Sequence, residues 1–183
     1  MRIKSKWKNN GKQRSIEDNA SAAAFIAWRI AQEQLLDLEN EDYQTDSLKQ
    51  RMDVVVEFVI YLAHLADRLT FDSLTAEERQ EFITGMVKHL ARTHQQSMED
   101  ISGVCDYKTD FINLVNERMN DYSEMPYEDE PSFIMRRFLG THVQAVMGER
   151  HNKWIETQVL EINAPDAFKH LKKALENLYK PAF

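Results

Sequence analysis

Residues 61–71 read YLAHLADRLTF: a histidine, an aspartate and an arginine interrupt an otherwise apolar run. If the segment is helical, Glu57, Tyr61, His64 and Arg68 follow one another at steps of three or four residues and share one stripe. Asp67 stands one turn from His64, within reach of its ring. An imidazole steadied by a carboxylate can carry a proton near neutral pH, and a neighbouring guanidinium can grip an anionic ligand. The same residues can also serve structure alone. Buried charge must be paired, so such a stripe can be an internal salt-bridge network. It can equally be the wet side of an amphipathic helix.

Two further histidines, His94 and His142, extend the apolar stripes of later segments and are secondary candidates for a site assembled in space. The residues do not spell a metal centre. None of the six histidines has a glutamate three residues before it, and there is no H-E-x-x-H, paired-cysteine or calcium-loop motif. No metal and no cofactor are expected. Cys105 is alone, so it forms no internal disulfide, and no local histidine stands beside it to make a nucleophile. Glycine-rich phosphate loops, G-x-S-x-G and the kinase motifs are missing as well.

The elements that must position the stripe read as helices. Only five glycines and four prolines punctuate 183 residues, which favours long helices over many short strands. SIED at 15–18 and TAEE at 75–78 have the spacing of capping boxes. The first opens a helix to about Asn40, with Ala24, Trp28, Ala31, Leu35 and Leu38 on one face. The second helix spans about Leu48 to Leu69. VVVEFVIY alone would suit a strand, but the run continues without a turn signal well beyond strand length. It is apolar on most sides and belongs at the centre of a bundle.

A third helix carries Ile83, Met86, Val87, Leu90 and Ala91, with Gly85 marking a close helix contact. ISGVCD interrupts it near Gly103, and a fourth helix places Phe111, Val115, Met119 and Tyr122 about a turn apart. A fifth follows Pro131. HNKWIETQVLEI is a sixth, or a kinked extension of the fifth. NAPD at 163–166 then reads as a cap with an early proline that starts the last helix. The expected architecture is all-α, a single bundle of six or seven helices around an apolar second helix. Residues 15–183 form the helical domain, and a subdomain boundary would fall at 123–131, where SEMPYEDEP brings two prolines and a cluster of acids.

Charge is unevenly spread. Residues 1–14, MRIKSKWKNNGKQR, hold six basic and no acidic side chains, although the whole chain carries a formal charge of −7. They read as a basic flexible arm. The acidic body repels nucleic acid, so any such contact is expected through the arm alone. Glu57 and His64 break the longest apolar run, which argues against a membrane span. The lone cysteine suits a cytoplasmic location.

Two functions follow as expectations. The first is a non-catalytic helical interaction or scaffold protein, whose partner is another protein or a second copy of itself. Aromatic, Met and Arg residues at 133–138 suit such contacts. The alternative is a small-molecule-binding protein or enzyme centred on Glu57, Tyr61, His64, Asp67 and Arg68. It requires these side chains to converge on a concave pocket and His64 to have a perturbed pKa.

Overall fold

The computed structural model describes residues 14–148, 150 and 152–179. Apart from Arg14, the basic arm lies outside the described residues. The fold is an all-helical bundle. Its elements are α1 (Ile16–Asn40), α2 (Leu48–Thr70), α3 (Ala76–Ser102), α4 (Tyr107–Ser123), α5 (Phe133–Met147), the single-turn α6 (Ile155–Gln158) and α7 (Ala164–Tyr179). A π-helical turn, Val159–Asn163, joins α6 to α7 without a break.

Local chemistry sets the helix starts. Ser15 accepts from the amide of Asp18, whose carboxylate returns to the Ser15 amide; Thr75 and Glu78 repeat the exchange. Ser47 caps α2 through the amide of Gln50. Each cap satisfies amides that the helix itself cannot. Gly103 and Gly148 end α3 and α5 at φ of 82° and 73°, a region that favours glycine. The stop at Gly148 makes α6 a separate element rather than an extension of α5.

α2 is the central helix. Residues 54–66 are all buried, and α1, α3, α4, α5 and α7 pack around them. Each fully covered Val, Ile, Leu or Phe there contributes roughly 2 kcal/mol of transfer free energy. Two close approaches tighten the surrounding layer. A Cβ on Gly85 of α3 would lie 3.0 Å from the Ala20 Cβ of α1. A Cβ on Gly140 of α5 would lie 2.8 Å from the Glu156 carbonyl oxygen of α6, so only glycine lets these backbones meet.

The C-terminal rod departs from the sequence expectation. NAPD does not start a helix, because Asn163 and Ala164 already lie inside one. The Ala164 amide donates to Val159, one residue further back than in an α-helix. Pro165 has no amide to offer the Leu160 carbonyl, and Arg136 of α5 donates to it instead through Nη1, at 3.4 Å. The π turn thus absorbs a proline that would otherwise break the helix. Asn163 is buried, and its Nδ2 donates to Gln34 of α1, which in turn donates to Asp166.

Candidate functional site

The sequence stripe on α2 is real and inward-facing. Glu57, Tyr61 and His64 are buried, while Asp67 and Arg68 are half-buried where the helix emerges. The stripe meets α4 at Glu57 and Arg68, α7 at Tyr61 and α3 at Asp67, and each polar group meets a partner from within the chain.

Glu57 sits between the Nε and Nη2 atoms of Arg118, each 3.3 Å from a carboxylate oxygen. Both side chains are largely covered, at 6% and 12% exposure, so the pair is a desolvated fork rather than a surface bridge. Arg118 also reaches Glu117 at 2.6 Å. Arg118 was not singled out from the sequence. It shares the α4 face of Phe111, Val115 and Tyr122, but nothing local marks it as the partner of Glu57.

The Tyr61 hydroxyl donates to the Ala164 carbonyl over a long 3.5 Å, beside the π turn. Burial raises its pKa far above the ordinary tyrosine value. His64 accepts from Arg68 Nε at 3.3 Å through its own Nε2, which places the proton of the neutral ring on Nδ1. Burial first, and the Arg68 charge second, hold the His64 pKa down to about 4. Arg68 also donates to the Ser123 carbonyl at the end of α4.

Asp67 does not steady His64. Its carboxylate is bound 2.9 Å from Arg79 Nε of α3. The three-residue spacing permits contact with His64, but a cation from a neighbouring helix offers the carboxylate a stronger partner. The proton-carrying pair expected from the sequence is therefore not assembled.

Tyr122 organises the aromatic side of this region. Its ring stacks on His64 at 5.3 Å, meets Tyr61 at 5.9 Å and meets Phe138 of α5 edge-on at 5.0 Å. Its hydroxyl is buried and makes no hydrogen bond among the described residues. Burial drives its pKa well above the usual range.

Of the secondary candidates, His142 joins the group. Its ring lies edge-on to Phe138 at 4.4 Å. Burial lowers its pKa, while the fields of Glu57 and Arg118 act on it in opposite directions. His94 lies elsewhere, stacked on Phe111 at 5.0 Å and nearer Lys49 and Asp53; burial lowers its pKa too.

Among the described residues, no group of three or more His, Cys, Asp or Glu converges in a way that could hold a metal ion. No described helix is long and apolar enough to cross a membrane. The chemistry available at the stripe is thus limited. Its carboxylates are bound to arginines, and its histidine is neutral, with a pKa too low for efficient proton exchange near pH 7. Comparison of the chain with protein-family models, curated proteins and solved structures finds no match, so what this region does must be read from its own geometry.

Proposed function

We propose that this protein is a non-catalytic helical interaction or scaffold protein whose buried polar stripe fixes how α3, α4 and α7 seat on α2. One observation carries the reading: every ionisable group of the stripe has an internal partner. Glu57 is held by Arg118, His64 by Arg68, Asp67 by Arg79 and the Tyr61 hydroxyl by a backbone carbonyl. Such groups specify a helix register rather than turn over a substrate.

The surface supports a partner. Phe133, Ile134, Trp154 and Ile162, all in the segment from α5 to the π turn, are more than half exposed. The partner we assign is a second copy of the chain, because a two-fold interface requires only one self-complementary surface. The exposed lone thiol of Cys105 suits a reducing, cytoplasmic setting.

Sedimentation velocity over about a hundredfold range of concentration tests self-association. The expected result is a mass that rises towards the dimer in the parent and stays monomeric in an Ile134→Asp, Trp154→Asp variant. A parent that remains monomeric throughout would overturn the assignment.

The alternative, a small-molecule site on the stripe, draws support from one group only. The Tyr122 hydroxyl is buried beside His64 without a hydrogen-bond partner, a state usually costly enough to need a reason. The stability of Tyr122→Phe tests whether that hydroxyl is in fact unsatisfied.

A further inference from the structure

A second stripe of charge lies on α7, and it has the opposite character. Lys169, Lys172 and Lys173 fall on one face at helical spacing, and all three are exposed. They line a groove of about 540 Å³, into which α5 contributes Arg136. The volume is in the usual range for a small-molecule site.

Three features make the groove more than a row of surface lysines. First, none of its four cations forms an ion pair among the described residues, although the chain as a whole is acidic. The lining carboxylates, Glu130 and Glu176, leave an excess of two positive charges. Second, Arg136 is held in place. Its Nη1 is engaged by the Leu160 carbonyl that Pro165 leaves open, and its Nε is buried with no hydrogen-bond partner. The carbonyl left open at the π turn thus anchors the guanidinium. Third, the groove has an apolar wall. Phe168 is buried beneath it, with Lys172 Nζ 5.8 Å from its ring centre, and Pro131 and Pro165 complete the lining. Pro131 is fixed by its bridge to Tyr127.

We infer that the groove between α5 and α7 is a binding site for a small phosphate monoester with an apolar or aromatic body. The dianionic head matches the excess of two positive charges, and a guanidinium with several ammonium groups suits phosphate oxygens. The ester's organic part lies against Phe168 and the prolines. The lining of the groove includes none of the α2 stripe.

Calorimetric titration of the full chain with phenyl phosphate, inorganic phosphate, benzoate and benzyl alcohol tests this. Phenyl phosphate is expected to bind saturably, about tenfold or more tightly than each of the other three. A Lys169→Gln, Lys173→Gln variant, with the circular dichroism of the parent, is expected to bind it roughly tenfold more weakly. Absence of saturable binding up to about 10 mM would overturn the inference. So would equal affinity in the lysine variant, which would place the ligand elsewhere. Inorganic phosphate or benzyl alcohol binding as well as phenyl phosphate would refute the two-part ligand, and equally tight benzoate would refute the dianionic head.

Discussion

α2 and α7 each carry polar groups at helical spacing, yet the two stripes meet opposite fates. On α2 the stripe turns inward, where α4 brings Arg118 and the Ser123 carbonyl against it and α3 brings Arg79 to its outer end. On α7 the lysines face a groove and form no ion pair among the described residues, although Glu130 and Glu176 also line it. A charge that has been desolvated must be matched at once by its own chain, or the fold fails. A charge left in water is under no such pressure and stays available to something else. Intrahelical spacing, which is alike in the two, does not separate these outcomes; the neighbouring helix does.

The comparison breaks most readily at Arg118. Arg118→Met strands the Glu57 carboxylate in the interior, and the expected loss is about 3–5 kcal/mol in urea unfolding. A change below about 1 kcal/mol would mean that the pair is wet and dispensable, like the α7 lysines.

Acid provides the next test. The His64 pKa in the fold, about 4, lies below its ordinary value of 6.5, so the unfolded chain binds the extra proton between these limits. His64 therefore adds stability that is complete above about pH 6.5 and is lost as pH falls through 6.5 towards 4, some 3 kcal/mol in total. His94 and His142 are shifted the same way and add to the slope. Unfolding free energies measured across this window should rise with pH, and His64→Gln should flatten the rise without abolishing it.

A smaller effect of opposite sign is expected at Tyr122. If its hydroxyl is only an unsatisfied buried group, Tyr122→Phe stabilises the protein by about 1 kcal/mol, read by denaturant midpoint. Destabilisation of similar size would show that the hydroxyl already has a partner within the protein and would remove the one support of the small-molecule reading. The smallest effect belongs to α7. Lys169→Gln with Lys173→Gln should move stability by no more than about 0.5 kcal/mol, because both lysines are exposed and neither forms an ion pair among the described residues.

Much of this architecture could be read in the chain itself. The capping boxes at Ser15 and Thr75, the long α2 and the stripe from Glu57 to Arg68 are local patterns, carried by neighbouring residues. The partners were harder to read because they lie far along the chain. Arg118 is 61 residues from Glu57, and in NERMND it resembles any solvent-facing arginine. Asp67 offered two partners, and spacing alone favoured His64 over the distant Arg79. The π turn was hidden by a true local signal. NAPD does carry the residues of a helix start, but the Arg136 donor that lets the helix run through Pro165 comes from another element.

The central claim is that the α2 stripe is held by its own chain, and a double-mutant cycle on Glu57→Gln and Arg118→Met in urea measures that most directly. A coupling free energy of about 2 kcal/mol or more, with the double variant recovering much of the loss of Arg118→Met, is the predicted result. Additive effects, with coupling near zero, would contradict it.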